Sequence, residues 1–284
     1  MTTVVGVHGI WNYSYFRKAG SAEGAAEVLG REWSDHLRGG LGGREVTARV
    51  AYYAHHLHRG TAQGADDVAL LDDEAKAMLV RWVELLQPTP QVAQGRLTFR
   101  ARQALGWLVT RCDDTARRAA TVFAREVSTY LSAPESPRRL AAREAVATTI
   151  AEAVEAGGEP VTVVAHSLGS VVTYEALWAH PELRVDLLIT LGSPLGMPGV
   201  VFERLLPAPV DGCGARPPGV ARWVNLADIG DMVAVPRRLS DRFDGIDHDS
   251  DGHDTAVKIS WWDFHTVKRY LTSGALTEHL PPRR

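Results

Sequence analysis

Short apolar runs rich in valine and leucine recur along this chain, each ending in a glycine- or serine-bearing turn that leads into a helix-like segment. Residues 2–8 ("TTVVGVH"), 161–165 ("VTVVA") and 185–191 ("VDLLITL") are the clearest cases, and each has the length and β-branched content of a buried strand. After the first run, Ala25, Ala26, Leu29, Trp33 and Leu37 recur at helical spacing over residues 21–37. "GGLGG" (residues 39–43) then breaks the chain, and residues 44–54 alternate as a strand does. A strand, helix, strand opening of this kind predicts a parallel sheet with right-handed crossovers.

The middle departs from this rhythm. One apolar stripe runs through Val68, Leu71, Ala75, Leu79, Trp82 and Leu86, and a second, from residue 98 to about 131, through Ala101, Leu105, Leu108, Cys112, Ala116, Ala119, Phe123 and Val127. Two long amphipathic helices with no strand between them read as an insertion over residues 55–135, closed by "SAPESP". A helix over 138–155 follows. The alternation then resumes with strand 161–165, helix 168–179, strand 185–191, a short helix near 202–206, strand 222–227, a last strand at 255–260 and a closing helix at 264–271. The 284 residues, 45% hydrophobic and 23% charged, suit one α/β domain spanning 1–284, with a mostly parallel central sheet, helices on both faces and a helical lid insertion.

A net charge of −3 provides no global field for nucleic acid or an anionic membrane. No run reaches the roughly 18 apolar residues of a membrane span. The amino terminus lacks the pattern of a secretory signal, and the two cysteines, Cys112 and Cys213, read as free thiols of a reducing compartment. The expected location is cytoplasmic.

Function is carried by "VVAHSLGSVVTYEAL" (residues 163–177), where an apolar strand passes through Ser167 directly into a helix. A serine hydroxyl becomes a useful nucleophile when a sharp turn exposes it beside a base. That turn needs small residues two positions before and after, here Ala165 and Gly169. Most small-x-Ser-x-Gly strings simply cap helices. The position of this one, between strand and helix late in a βα series, favours the nucleophile.

With "AHSLG", a preceding His166 and an amino-terminal "VHGIW", the sequence resembles the α/β-hydrolase superfamily in its lipase and esterase branch. The resemblance covers most of the chain outside the inserted helices; Ala165 replaces the usual first glycine, and two early antiparallel strands of the family are missing. It implies a triad in the order serine, acid, histidine. The loop "LADIGDMVAVP" offers Asp228 and Asp231; "DMVAVP" is the family's usual acid context, which favours Asp231 and leaves Asp228 open. Among His248, His253, His265 and His279, the family's topology selects His265 in "WWDFHTVKRYL", with a tyrosine five residues on. Oxyanion donors would be the amides of Leu168 and of Ile10, or alternatively Trp11, with His8 and Gly9 forming the turn beneath them. Trp11 and His166 would border the substrate.

The resemblance implies a serine hydrolase acting on a small-molecule carboxylic ester with an apolar or bulky acyl group, needing neither cofactor nor metal. Acyl transfer, thioester hydrolysis, lactone formation and a non-hydrolytic binding role stay open. Asp247, Asp249, Asp251 and Gly252 reproduce the start of a calcium loop, but Lys258 stands where a bidentate glutamate is required. A solvated acidic loop is the stronger expectation there. "AHHLHR" (residues 54–59) lacks a completing ligand and reads as a loop rim.

Overall fold

The computed structural model describes residues 2–60, 68–87, 97–109, 114–157, 160–250 and 265–280. In chain order the elements are β1 (Thr2–Val7), α1 (Tyr13–Ala19), α2 (Ala22–Gly40), β2 (Val46–Ala51), α3 (Ala54–Leu57), α4 (Asp73–Leu86), α5 (Leu97–Val109), α6 (Asp114–Leu131), α7 (Pro137–Ala156), β3 (Thr162–His166), α8 (Leu168–Ala179) and β4 (Val185–Leu191). They continue with β5 (Gly214–Ala215), β6 (Val220–Leu226), β7 (Phe243–Asp244), β8 (His248–Ser250) and α9 (Val267–Thr272). Six strands pair in the order β2-β1-β3-β4-β6-β8, all parallel, and β5 pairs with β7 as a separate ribbon.

Side-chain alternation divides the core between the two faces of the sheet. Val5, Val7, Val163, Ala165 and Leu188 join the core built with α4 to α8, whereas Val4, Val164, Leu187 and Ile189 join that built with α2 and α9. The segments 61–67, 88–96 and 110–113 aside, the inserted helices share the first of these cores with the sheet, through Leu79, Trp82, Phe123 and Val127. A buried charge pair ties them further: Glu175 of α8 accepts from Arg139 Nε of α7 (2.9 Å) and from the Tyr130 hydroxyl of α6 (2.8 Å). Burial makes such a pair costly to break on one side, because the remaining charge has no water to turn to.

Several boundaries differ from the sequence reading. The 98–131 stripe falls on α5 and α6, residues 110–113 lying outside the described residues. The stripe that opens at Val68 begins as a 3₁₀ turn, and α4 starts only where Asp72 accepts the Ala75 amide as a cap (2.8 Å). The short helix near 202–206 is a 3₁₀ turn at Phe202–Arg204. Helix α1 carries no buried residue, so no apolar stripe announces it.

The sheet edge supplies the largest difference. Strand β8 lies in the stretch read as a solvated acidic loop, and the strand anticipated at 255–260 falls outside the described residues. The acids here are consumed by protein donors: Asp247 accepts the Trp223 amide (2.7 Å), and Asp249 accepts Asn225 Nδ2 (2.8 Å) and the Ser240 amide (2.6 Å). Asp251, Gly252 and Lys258 lie outside the described residues. Among the described residues no group of three or more potential ligands is placed to hold a metal ion, and no helix is long and apolar enough to cross a membrane. Cys213 is a free thiol, and Cys112 lies outside the described residues.

Candidate active site

Strand β3 ends at His166 and helix α8 starts at Leu168, so Ser167 alone makes the turn, at φ 56° and ψ −132°. Positive φ in a non-glycine residue costs on the order of 1–3 kcal/mol and persists only where the surroundings impose it. Here they do. The Ser167 amide donates to Leu191 O at the end of β4 (3.0 Å), and its carbonyl accepts the Ser170 hydroxyl (2.6 Å). A Cβ on Gly169 would sit 2.4 Å from His8 O, so only glycine lets α8 start this close to the end of β1. Ser167 is fully buried, and its Oγ has no hydrogen-bond partner among the described residues. A buried hydroxyl left unpaired is unusual and calls for an explanation.

The loop after β1 lies on this serine: a Cβ on Gly9 would be 2.6 Å from Ser167 Cβ. His8 is locked beneath the loop. Its Nε2 accepts the Tyr53 amide (3.2 Å), which leaves Nδ1 to donate to Gly9 O (2.7 Å), and its ring stacks on Tyr53. Burial pushes the His8 pKa down to about 4, keeping the imidazole neutral. Asn12 Nδ2 donates to both Gly9 O (3.1 Å) and Ile10 O (2.8 Å). In trans peptides the N–H opposes the C=O, so the Ile10 and Trp11 amides face away from Asn12. The Leu168 amide, first of α8, has no intrahelical acceptor and carries the positive end of the helix dipole.

The candidate acid and base come from the loops after β6 and before α9. His265 Nδ1 lies 2.7 and 2.9 Å from the two carboxylate oxygens of Asp231, with both side chains buried. Asp231 also accepts the Tyr270 hydroxyl (2.7 Å) and the Val233 amide (2.8 Å). Burial alone would push its pKa up, but the His265 charge and these hydrogen bonds outweigh that and hold it at about 2. An ionised carboxylate in this position can hold the proton of the neighbouring imidazole on Nδ1. Asp228 Oδ1 accepts the Gly230 amide in an Asx turn (2.7 Å), and its own amide donates to Tyr270 Oη (3.1 Å).

The structure brings the two halves together. The His166 ring, next to Ser167, stacks on His265 with centroids 4.6 Å apart, and burial followed by the His265 charge keeps it neutral. Gly192, at φ 53° after β4, leaves room for the pair: a Cβ there would be 2.5 Å from Asp231 Oδ2 and 3.0 Å from the His265 ring. Of the other histidines weighed as base, His248 and His279 pack on each other at 4.7 Å, and His253 lies outside the described residues. His55 and His58 of the "AHHLHR" rim stack on Phe16 and Tyr13. Trp11 is 46% exposed at the edge of the site.

Three contributors escape the sequence reading. The Gly192 requirement is signalled only by the glycine of "LGSP"; the double duty of Tyr270 is hinted at by its spacing from His265; and Glu126, whose carboxylate accepts the Trp11 amide (3.2 Å), lies 115 residues away with no local signal. Comparison with known proteins finds no family model, curated protein or solved structure that matches this chain.

Proposed function

We propose that the protein is a serine hydrolase of the α/β-hydrolase type that cleaves carboxylic esters through an acyl-enzyme on Ser167. The observation that carries this reading is the buried, unpaired hydroxyl of Ser167, a residue at strained positive φ whose neighbour His166 stacks on His265, the imidazole whose Nδ1 is held by the Asp231 carboxylate. In the proposed reaction His265 Nε2 takes the Ser167 proton as Oγ bonds to the ester carbonyl carbon. The carbonyl π electrons move to oxygen, and the oxyanion is received by the Leu168 and Ile10 amides, each such donor contributing about 10²–10³ in rate. His265 then protonates the departing alcohol. Water, activated by the same imidazole, releases the acid.

Helices α3 to α6 are proposed as the lid. Supporting this, the insertion touches both sides of the site: Trp82 Nε1 of α4 donates to Met232 O in the acid loop (2.8 Å), and Glu126 of α6 meets the oxyanion loop. The proposed substrate is a small molecule with an apolar or bulky acyl group, bordered by Trp11 and His166. The low cysteine content fits a cytoplasmic setting. A panel of p-nitrophenyl esters of increasing acyl length tests the reading. Turnover is expected for at least part of the panel, with a chain-length preference, and Ser167→Ala should abolish it. Undiminished turnover by folded Ser167→Ala would refute it.

A further inference from the structure

The oxyanion loop carries a second point of strain. Trp11 sits at φ 67°, in the left-handed region, where a bulky side chain is an outlier. Asn12 closes the loop from one side by holding the Gly9 and Ile10 carbonyls. On the other side the Trp11 N–H is met by Glu126, 3.2 Å from Oε2 and 3.4 Å from Oε1. The helix presenting this carboxylate is itself fixed, with Phe123, Val127 and Tyr130 buried around it and the Tyr130 hydroxyl bonded to buried Glu175. A carboxylate accepting a backbone N–H makes a bond roughly twice as strong as a neutral one. Such a bond works against the cost of the left-handed residue.

We propose that Glu126 is a positioning residue: by accepting the Trp11 N–H it holds the oxyanion loop in the left-handed turn that aims the Ile10 amide at the substrate carbonyl above Ser167. This rests on the reading of Ser167 as a nucleophile. It also divides the labour between the two adjacent amides. An oxyanion on the Trp11 amide would face the Glu126 carboxylate, so the Trp11 amide is the tether and the Ile10 amide the donor. The insertion thus adjusts the reaction through one backbone bond. Burial pushes the Glu126 pKa up, against the Trp11 N–H and the Arg125 charge, to about 7.

Two measurements on the full chain test this, one independent of activity. Selective ¹⁵N labelling of tryptophan reports eight amides, and Trp11→Phe identifies the Trp11 signal. Glu126→Ala should speed exchange of that amide by about tenfold or more while leaving the other tryptophan amides unchanged. The rate at which a fluorophosphonate labels Ser167 should fall by roughly 10- to 100-fold in Glu126→Ala and by less in Glu126→Gln, which keeps an acceptor. Glycine adopts positive φ freely, so in a Trp11→Gly background the Glu126→Ala loss should shrink to about threefold or less. Unchanged Trp11 exchange in Glu126→Ala, or an equal loss of labelling in both backgrounds, overturns the proposal. If Trp11 exchange depends on Glu126 but wild type is never labelled at Ser167, the hydrolase reading fails and the positioning role fails with it.

Discussion

The two halves of the candidate site are held in opposite ways. On the acid–base side, Asp231 receives an imidazole, a phenol and backbone amides, both members of its pair with His265 are buried, and all these partners lie within 39 residues of Asp231. On the oxyanion side the working groups are backbone amides of a short loop with a half-exposed tryptophan, kept in place by Asn12, His8 and a carboxylate 115 residues distant. The first half is over-determined by side chains; the second depends on a few backbone contacts. Damage to the first should therefore act on protonation, and damage to the second on geometry.

The contrast breaks most sharply at the acid. Asp231→Asn should lower kcat by about 10³–10⁴, because the amide cannot hold the His265 tautomer that makes Nε2 a base. Asp228→Asn, which keeps the Oδ1 that accepts the Gly230 amide, should change it by no more than about threefold; steady-state ester hydrolysis compares them. Equal losses would move the acid role away from Asp231.

On the oxyanion side, Gly9→Ala pushes a methyl to 2.6 Å from Ser167 Cβ. The loop must shift, and kcat is expected to fall by about 10²–10³, the value of one misplaced donor, with the pH profile unchanged. A shifted profile would place Gly9 in the protonation machinery instead.

Tyr270→Phe removes one of the bonds that depress the Asp231 pKa, and should cost roughly tenfold in kcat. It also changes stability. Asp231 titrates at about 2 rather than 3.8, so its ionised form stabilises the fold by about 2 kcal/mol above pH 4, a contribution lost as pH falls through 2. Acid unfolding of the variant should show a smaller loss of stability between those limits. The smallest effect is expected at Ala165, where glycine is the commoner residue of such turns: Ala165→Gly should keep activity within about threefold.

The same asymmetry explains what can be read from the sequence. The turn at Ser167 between strand and helix is legible from its small neighbours, and the pairing of Asp231 with His265 is expected from the resemblance. The oxyanion loop is legible only as a place, since any residue has an amide and nothing in "HGIW" reveals that Trp11 is left-handed or that Glu126 meets it. The central strands are legible from their apolar runs. Strand β8 is not, because "HDS" shows no apolar alternation.

The most direct test of the central claim is to treat the native protein with a fluorophosphonate and map the adduct by peptide mass. The account predicts a single phosphonylated residue, Ser167, no adduct in Ser167→Ala, and much slower labelling in His265→Ala and Asp231→Asn. A folded protein that takes no label, or takes it on another residue while Ser167 stays unmodified, would contradict it.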